Sequence, residues 1–580
     1  MKTAIKNLAI VGGGPRGLSA LESIYGHMAI KGGLTSFQTM FFESRELPGA
    51  GHVYDADQPD TNWLNVSERG LTISGRQEVK CDDFLIPSFP SYQEWAGYDK
   101  NENSGSVPDK FPLRSTLGKY LYERYVSIAS VLEKANLLQV IKGEVIEMDW
   151  NEGKFTIALK DGTIHQSEEL VLTIGHQSTK NSKQILDWSA YVEENNMVEL
   201  ITKPYPVSDI LKSKLLGTYS VVALRGFGLA MIDVMRALTI GLGGEFKVVD
   251  EATQKMIYLK SGKEPSEIVP FSLDGLPMAP KLLNLEIDRW FFPTDEEKED
   301  FKTTVGHIAE KGTATDIQFL IGTIEPIAFR VFKDLGDKAY SYDLEEEELH
   351  KIINAWLSDE EFEHPLIVPK TNTAEETLKA FVGMATGTES ISLDFCIGHV
   401  WRHCQPTLYK AVSFSNLEAE IIADIVELDE RIKRYSYGPP VASLQQLLAL
   451  IKIGIVTLDF VNDPDIRTTE KGWELSKGKK SIIADLMINS VLDPPKLLDI
   501  DSPIVCNLLH ESLVEPVHGE LGIETYKNGC VALSEERDKI PLAVLGRLSK
   551  GTLIGVDAIL ECFGLRSELW AEGVVERMPN

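Results

Sequence analysis

The chain has 580 residues, of which 43% are hydrophobic and 25% charged, and its formal net charge at pH 7 is -29. This length and composition predict a globular protein of roughly three to four domain-sized units with enough apolar residues for a large core. A surface this acidic repels the phosphates of nucleic acids and of anionic membranes, so neither is expected as a partner. The sequence has no uncharged apolar run of about 18 residues, and residues 1–6 lack the pattern of a signal peptide, so we expect neither a transmembrane helix nor secretion.

Cysteine is sparse and shows no paired spacing. The six cysteines include no Cys-x-x-Cys pair, which argues against a disulfide framework or a dithiol redox centre and favours a reducing compartment. We therefore expect a cytoplasmic protein. The cysteines are Cys81, Cys396, Cys404, Cys506, Cys530 and Cys562.

A glycine-rich turn near the N-terminus predicts a dinucleotide site. The apolar run at 7–11 leads into the sequence GGGPRG at 12–17, helical periodicity follows at 18–27, and a second apolar run at 38–42 ends at Glu43. The order is strand, glycine turn, helix, strand and acid, which is more specific than an isolated glycine motif.

Each glycine of this turn has a task in such a site. Gly12 permits the tight turn, Gly14 lets a pyrophosphate approach the backbone, and Gly17 lets helix and strand pack closely. The helix N-terminus then faces the phosphates, and the Glu43 carboxylate accepts hydrogen bonds from ribose hydroxyls. FAD, NAD and S-adenosylmethionine sites all begin in this way, so the turn alone leaves these ligands open.

The rest of the chain alternates strands and helices. Long ordered loops over a ligand are expected at 44–110, because structureless loops of that length are usually functional. The remaining predicted elements are a helix at 116–132, strands at 140–150, 154–160 and 170–174 with a hairpin turn at 161–162, a second strand-glycine-helix unit from 219, a mainly helical stretch at 295–423, and α/β structure at 502–509 and onward to 578.

The second glycine turn departs from the full dinucleotide fingerprint. Gly226 and Gly228 end an apolar strand, but Met231 occupies the third glycine position. A functional NAD(P)H site and a retained fold unit without nicotinamide binding both remain open. Arg225 is a candidate contact for the pyrophosphate. Lys247 is a candidate for a 2′-phosphate or a solvated lysine, which leaves NADH and NADPH open.

One cluster of potential metal ligands occurs on a predicted helix, at Cys396, His399, His403 and Cys404. The usual zinc spacing is absent, and the flanking residues look like a packed helix. Burial in the core, or the lining of a substrate pocket, is therefore favoured over a metal site. No metal is therefore predicted. Arg402 within it is a candidate clamp for a substrate carboxylate, or equally a surface ion pair.

Two other histidines lie in segments expected near the cofactors. His52 is in the loop after the ribose-binding acid, and His176 directly follows the Gly175 turn. The sequence contains neither a Gly-x-Ser-x-Gly elbow nor a His-Glu-x-x-His helix, so hydrolase functions are not favoured. The sequence identifies no catalytic acid or base.

Three segments resemble flavoproteins with two dinucleotide-binding domains. TIG at 173–175 is similar to the turn where the FAD domain of such proteins leads into the NAD(P)H domain. GFGLAMID at 226–233 resembles the second fingerprint. LGRLSKGT at 545–552 resembles the late segment that closes over the isoalloxazine.

Further blocks resemble a bacterial group of FAD/NAD(P)-binding proteins. These blocks are GAGHVY at 49–54, QP at 58–59, LNV at 64–66, FPLR at 111–114 with Gly118 and Tyr120, and YLKSGKEP to SLDGLPMAPK within 258–281. The resemblance is thinnest from about 295 to 495. Some members of this group are flavin-dependent N-hydroxylating monooxygenases, including ones that act on aspartate.

The resemblance implies an α/β fold with a Rossmann-like FAD domain, built from a βαβ unit plus a β-meander. An NAD(P)-binding Rossmann domain is expected to be inserted into it, together with a largely helical segment. The expected parts are 1–180 and 500–580 for the FAD domain, 200–290 for the NAD(P)H domain, and 295–495 for a mainly helical cap or insert.

The implied cofactors are FAD and NAD(P)H, and the implied reaction is hydroxylation of a small amine or amino acid by O2 through a flavin hydroperoxide. Another flavin oxidoreductase, such as a reductase or amine oxidase, and a non-enzymatic FAD-binding scaffold or sensor are the alternatives. The oligomeric state is left open. The cofactor-binding residues expected are Gly12, Gly14, Pro15, Arg16, Gly17, Glu43, Ser44, Gly51, Leu64, Asn65, Val66, Arg114, Val145, Gly175, Gly226, Gly228, Gly546, Gly551 and Thr552.

Overall fold

A computed structural model describes residues 6–31, 37–80, 84–99, 105–533, 540–556 and 558–578. Cys81 lies outside these ranges.

Strands and helices alternate through both ends of the chain, and helices dominate the middle. The strands are β1 (Lys6–Val11), β2 (Phe37–Glu43), β3 (Val79–Lys80), β4 (Leu85–Ile86), β5 (Leu138–Lys142), β6 (Val145–Asn151), β7 (Lys154–Leu159), β8 (Ile164–Ser167), β9 (Glu169–Leu172), β10 (Glu199–Ile201), β11 (Val221–Arg225), β12 (Glu245–Asp250), β13 (Lys255–Leu259), β14 (Glu267–Phe271), β15 (Asp465–Thr469), β16 (Gly472–Lys477), β17 (Lys480–Ala484), β18 (Leu486–Asn489) and β19 (Leu542–Val544). The α-helices are α1 (Pro15–Lys31), α2 (Tyr92–Trp95), α3 (Arg114–Lys134), α4 (Lys183–Glu194), α5 (Val207–Ile210), α6 (Leu229–Ala237), α7 (Leu285–Asp288), α8 (Asp295–Lys311), α9 (Gln318–Asp334), α10 (Glu346–Ser358), α11 (Ala374–Thr386), α12 (Leu393–Val412), α13 (Ala419–Ser436), α14 (Val441–Lys452), α15 (Pro503–His510) and α16 (Leu565–Glu576).

The first sheet is parallel and has the strand order β19-β9-β1-β2-β5. Its central strand β1 is apolar and buried on both faces, as expected of a parallel strand between two layers. Ile10 packs with helices α1, α3 and α16 on one face, and Val11 packs with the β6-β7-β8 meander and α15 on the other. Because β19 lies beside β9, this sheet contains strands from both ends of the chain.

The second sheet is also parallel and has the order β10-β18-β11-β14. Strand β14, rather than β12, lies next to the fingerprint strand β11, because β12 and β13 form a separate antiparallel hairpin. Lys247 is on that hairpin and not at the end of a strand of the parallel sheet. Its Nζ lies 3.7 Å from Oε2 of Glu245. The structure therefore does not support Lys247 as a reader of the 2′-phosphate.

Helices α8 to α14 form a layer against the second sheet. They share one hydrophobic core with α6 and with alternate residues of β11, such as Val222 and Leu224. Ala223, between them, faces a second core with Trp473 of β16. The predicted α/β class, with parallel sheets and a largely helical segment, is confirmed.

Within the part of the chain that the structure describes, no helix is long and apolar enough to cross a membrane.

Candidate cofactor site and adjoining cavity

Two glycines of the first turn are required by the packing of the chain itself. Gly12 has φ +107, and a Cβ there would lie 2.7 Å from the carbonyl carbon of Thr173. A Cβ at Gly17 would overlap the carbonyl oxygen of Gly12. Both positions therefore admit only glycine, which lets helix α1 and strands β1 and β9 approach as the fingerprint predicts.

Gly14 differs from these two. The nearest atom to a Cβ at this position is the Cα of Gly51, at 3.6 Å, which is an ordinary van der Waals contact. The chain alone therefore does not require glycine at position 14. A ligand phosphate that approaches the backbone explains why glycine is present at position 14. Pro15, at the first position of α1, has no backbone N–H and so adds no unpaired donor to this helix N-terminus.

The loop at 49–54, which contains the predicted cofactor-binding residue Gly51, lies against this turn. The Gly49 N–H donates to the carbonyl of Gly13 at 2.6 Å. A Cβ at Gly51 would lie 3.1 Å from the Cα of Gly14. This close approach brings Gly14 and Gly51 together on one side of the site.

Glu43 lies at the carboxyl end of β2 and is buried. Its Oε1 accepts hydrogen bonds from the Arg45 N–H at 2.8 Å and from the Ser44 hydroxyl at 3.4 Å. A Cβ at Gly13 would lie 2.7 Å from Oε2 of Glu43. The motif treats position 13 as variable, so sequence reasoning missed that the acid itself requires glycine there.

The TIG turn joins β9 to this site. The Thr173 hydroxyl donates to the carbonyl of Gly12 at 2.5 Å and to that of Val11 at 3.2 Å. Gly175 has φ +65 and no neighbour within 4 Å of an added Cβ, so its backbone conformation, and not crowding, favours glycine.

Arg16 carries a buried guanidinium at the N-terminus of α1. It is 6% exposed, and among the described residues neither Nη1 nor Nη2 has an oxygen acceptor. Gly546, just after β19, covers it, because a Cβ at Gly546 would lie 2.9 Å from its Nε. Arg566 of α16 is close to it, and burial, together with the Arg16 charge, lowers the Arg566 pKa to about 10.

The two guanidiniums indicate what kind of ligand this site can bind. A buried guanidinium without an acceptor is costly, by about 1–3 kcal/mol or more for a charged group. An anionic group bound at the turn satisfies those donors, and the partial positive charge of the α1 N-terminus adds to the attraction. The site therefore fits the pyrophosphate of a dinucleotide.

The other predicted C-terminal residues contact the protein. A Cβ at Gly551 would lie 2.9 Å from Cδ1 of Leu521, and the Thr552 hydroxyl accepts from the Thr525 N–H at 3.2 Å. Their assignment to the cofactor remains a prediction.

Arg114 makes an ion pair with the second fingerprint helix. Its Nη2 lies 2.6 Å from Oδ2 of Asp233 on α6, and the Tyr205 hydroxyl donates to the same oxygen at 2.6 Å. Burial raises the Asp233 pKa, and the Arg114 and Arg236 charges oppose that rise. This cluster links the start of α3 to α6, and contact of Arg114 with a cofactor remains a prediction.

Leu64 and Val145 are buried in the cores on the two faces of the first sheet. Asn65 Nδ2 donates to the carbonyl of Tyr437 at 3.3 Å. Asn65 and Val66 line the cavity described below. The loop at 64–66 thus contributes one residue to the core and two to a ligand-sized space.

In the second turn, the two glycines again differ. Gly226 has φ +119, and a Cβ there would lie 2.8 Å from Oγ of Ser490, which follows β18. Gly228 precedes α6, and an added Cβ would meet only Sδ of Met278, at 3.8 Å. Met231, in place of the third glycine, is buried in an apolar environment. Gly228, like Gly14, is not explained by packing of the chain.

A cavity of about 120 Å³ lies between the two sheets' loops and the helical layer. Five of its eleven lining residues are charged. The lining residues are Asn65, Val66, Ser67, Arg69, Gly70, Asp109, Phe111, Lys281, Leu282, Asp288 and Arg402.

Two carboxylates hold the two arginines of this cavity. Arg69 donates through Nε and Nη2 to both oxygens of Asp109, at 3.1 and 2.7 Å, and through Nη2 to Asp288 at 3.1 Å. Asp288 also accepts from Arg402 and, at 2.9 Å, from Nε2 of His403. Burial opposes ionisation of Asp288, but the Arg402 charge and the His403 hydrogen bond outweigh it and hold the pKa well below its usual range.

Arg402 lines this cavity and forms an ion pair with Asp288. The role of Arg402 as a clamp for a substrate carboxylate remains a prediction. Sequence reasoning missed Arg69, Asp109 and Asp288, which carry no recognisable local motif. Lys281 was noted only as the last residue of a resembling block.

The remaining residues of the helix cluster pack in the core. The ring centroid of His399 lies 4.4 Å from that of Phe395 and 5.1 Å from that of Phe291. Cys396 and Cys404 are buried. Within the described ranges, no group of three or more His, Cys, Asp or Glu residues is arranged to hold a metal ion.

The two other histidines lie apart from this core. Nδ1 of His52 is 2.9 Å from Nη1 of Arg45, and burial and the Arg45 charge lower its pKa. His176 is exposed. Roles for both at the cofactors remain predictions.

Comparison with known proteins supports a nucleotide site. Residues 9–177 match a family model described as FAD-NAD(P)-binding. That range contains the first glycine turn, Glu43 and the TIG turn, so the predicted FAD/NAD(P)-binding character of this segment and the cofactor prediction, FAD with NAD(P)H, are confirmed.

Two curated relatives extend beyond that segment. The chain is 29% identical over 265 residues to a nitrosuccinic acid synthase of Aspergillus oryzae, which is 45% of this chain and 39% of the relative. It is 25% identical over 287 residues to an L-aspartate N-monooxygenase (nitrosuccinate-forming) of Streptomyces davaonensis, which is 46% of this chain and 43% of the relative. The chain thus spans about two fifths of the length of these relatives, and the similarity agrees with the resemblance found in the sequence.

Among solved structures, a cyclohexanone monooxygenase variant from Rhodococcus sp. Phi1 bound to NADP+ is 12% identical. The match covers 99% of this chain and 86% of that one with a TM-score of 0.43, which is too low to support a conclusion.

Proposed function

We propose that this protein is an FAD-dependent, NAD(P)H-using monooxygenase that hydroxylates the amino group of a small amino acid, with L-aspartate as the first candidate. The observation that carries the proposal is the buried Arg16 guanidinium at the glycine turn where both chain ends meet, because its Nη1 and Nη2 have no oxygen acceptor among the described residues. Two relatives, a nitrosuccinic acid synthase and an L-aspartate N-monooxygenase, support the choice of amine oxygenation as the reaction and of L-aspartate as the substrate.

The reaction balances with one O2 and one two-electron donor. The amine R–NH2, O2, NAD(P)H and a proton give R–NHOH, H2O and NAD(P)+. When bound, FAD would supply the two-electron redox chemistry between NAD(P)H and O2. The protein's own part is to bind both nucleotides and to hold the amino group of the substrate near the flavin.

We assign the binding roles as follows. The turn with Gly14 and the N-terminus of α1 bind the FAD pyrophosphate together with Arg16, and Glu43 accepts the ribose hydroxyls. The turn at Gly226 and Gly228 binds NAD(P)H. The same proposal divides the chain into FAD-binding parts at 1–180 and 500–580, an NAD(P)H-binding part at 200–290 and a helical part at 295–495.

A cytoplasmic location is also proposed. All five cysteines in the described part of the chain are free, which agrees with a reducing compartment. Nucleic acid and membrane remain unexpected partners, because the net charge is -29.

Turnover of the purified, FAD-loaded protein tests the function. We expect L-aspartate to accelerate NADH or NADPH oxidation in air, with one hydroxylamine formed for each nicotinamide oxidised. Gly228→Val should retain FAD but lose nicotinamide-driven flavin reduction, because the added side chain fills space that the chain leaves open. Gly306→Val is the matched control, since a Cβ at Gly306 has no neighbour within 4 Å.

Two results would contradict the proposal. Flavin reduction by the amino acid without nicotinamide, under nitrogen, would indicate an amine oxidase. A flavin that neither NADH nor NADPH reduces would indicate a scaffold or sensor, in agreement with Met231 in the third glycine position.

A further inference from the structure

The cavity next to the 64–66 loop contains more cationic than anionic side chains. Arg69, Lys281 and Arg402 line it, against the carboxylates of Asp109 and Asp288. Both carboxylates are already engaged by the arginines, at 2.7 Å for Asp109 to Arg69 and at 3.1 Å for Asp288 to Arg69. One of the three cationic groups is therefore left without a carboxylate partner in the cavity.

Lys281 is that group. Among the described residues, its Nζ has one hydrogen-bond acceptor, the carbonyl of Ser436, and no carboxylate within ion-pair distance. The Tyr437 ring centroid lies 5.6 Å from the same nitrogen. Lys281 is half-buried, and an ammonium that donates to a single carbonyl has two further N–H groups to satisfy, which favours an anionic ligand.

The arginines are fixed in place in a way that suits ligand binding. Arg69 uses Nε and Nη2 for its carboxylates, and Arg402 uses Nη2 for Asp288 and Nε for Nδ1 of His399, at 3.3 Å. Within the described residues, no acceptor contacts Nη1 of either arginine. Because the carboxylates hold both side chains before a ligand arrives, the entropic cost of ordering them on binding is small.

We propose that this cavity binds a small carboxylate ligand through Lys281, assisted by Arg69 and Arg402. That the ligand is the amino-acid substrate rests on the proposed function. The cavity measures about 120 Å³. Asn65 and Val66, which line it, belong to the loop predicted to contact the cofactor, so a ligand here is adjacent to that loop.

Proton uptake accompanies binding in this arrangement. Burial, and next the Arg402 charge, lower the Lys281 pKa to about 7, and Asp288 opposes that decrease. A bound carboxylate stabilises the ammonium form, so binding near pH 7 takes up part of a proton. Affinity is then constant below about pH 7 and falls by about tenfold per pH unit above it.

Four titratable groups around Lys281 keep one charge state in this range. Burial is the main reason that the pKa of His403 is lowered to about 4 and that of His399 well below its usual value, so both are neutral. Asp288 stays ionised because its pKa is held well below the usual range. Hydrogen bonds to Asp109 and the charge of Asp288 outweigh burial and raise the pKa of Arg69. From α13, Lys433 lies 5.1 Å from the Tyr437 ring centroid and faces the same aromatic ring.

Calorimetric titration of the FAD-loaded protein with succinate tests the site. Succinate has two carboxylates and no amine, so its binding does not depend on turnover. We expect Lys281→Met to raise the Kd of succinate by about tenfold or more, since a charged hydrogen bond is lost, and Lys281→Arg to restore part of the affinity. Lys410→Met, an exposed lysine on the same helix as Arg402, is the matched control with unchanged Kd.

Wild-type protein gives a second test that does not depend on the folding of any variant. The dependence of the binding enthalpy on the ionisation enthalpy of the buffer at pH 7 should report proton uptake. Absence of uptake, a Kd that is flat from pH 6.5 to 9, or a Lys281→Met variant that binds succinate like wild type would overturn the proposal.

The outcomes separate this inference from the proposed function. Lys281-dependent succinate binding without amine-stimulated NAD(P)H oxidation would support the site and contradict the monooxygenase. Hydroxylation of L-aspartate with a KM that Lys281→Met leaves unchanged would support the monooxygenase and overturn the site.

Discussion

At the scale of single residues, the motif glycines are present for different physical reasons. Gly12 and Gly17 leave no space for a Cβ because backbone atoms of the chain occupy it. Gly14 and Gly228 have only ordinary contacts, at 3.6 and 3.8 Å from an added Cβ. The first kind is needed to fold, and the second kind is free to serve a ligand.

Substitution of Gly14 and Gly17 should therefore give opposite results. We expect Gly14→Val to fold, with a Tm within a few degrees of the wild type, and to be purified without FAD. Gly17→Val should lose the fold itself, because the new side chain overlaps the Gly12 carbonyl. Absorbance of the flavin and a thermal melt measure both effects, with Gly306→Val as control. A yellow, FAD-replete Gly14→Val protein would contradict the assignment of the turn.

At the scale of elements, buried charge fixes the position of α1. Glu22 on α1 accepts from Arg76 at 2.8 Å and from Nη2 of Arg124 on α3 at 2.7 Å. The side chains of all three are less than a tenth exposed. One carboxylate thus holds two guanidiniums, so α1, α3 and the loop at 76 have one mutual arrangement, and the N-terminus of α1 is held at the glycine turn.

Removal of that carboxylate's charge should be costly. Glu22→Gln leaves two buried guanidiniums without a counter-charge, and we expect the free energy of unfolding to fall by about 3–5 kcal/mol. Urea denaturation followed by circular dichroism measures the change. Glu347→Gln removes an exposed ion pair with Lys351 and should cost at most about 1 kcal/mol. A cost for Glu22→Gln no greater than that of Glu347→Gln would show that the buried cluster does not hold the helices.

At the scale of the whole molecule, the two chain ends form one unit. Strand β19 completes the first sheet, and α16 packs on α1, with the Ser19 hydroxyl donating to that of Ser567 at 3.0 Å. Arg577 is paired with Glu169 on β9 at 2.9 Å. The segment with Gly546 covers Arg16 only because α16 and β19 hold it there, so the C-terminal part should affect the N-terminal nucleotide site.

Loss of a large side chain at this junction should weaken the binding of FAD. Trp570 on α16 is 1% exposed and packs in the core with α1. We expect Trp570→Ala to cost about 3–5 kcal/mol and to raise the Kd for FAD, measured by quenching of flavin fluorescence. Trp473→Ala in the core of the second sheet should cost a similar amount and leave the FAD affinity unchanged. Equal effects of both variants on FAD affinity would contradict this coupling.

The amino-acid sequence by itself determined the first strand-turn-helix-strand unit, the role of Gly12 and Gly17, and the position of Glu43. These features are readable because they depend on residues close together in the chain, where apolar periodicity and glycine spacing directly reflect backbone geometry. The resemblance to known proteins extended this to the second glycine turn and to the C-terminal segment around Gly546.

Only the tertiary structure decided how distant residues combine. It assigned Arg114 an ion pair with Asp233, gave β14 instead of β12 the place beside β11, and set Arg16 beneath Gly546. It also brought Arg69, Lys281 and Arg402 together around one cavity. The reason is physical: such contacts join parts of the chain that are dozens to hundreds of residues apart, and no local pattern of hydrophobicity or glycine spacing records which distant partner a buried charge will meet.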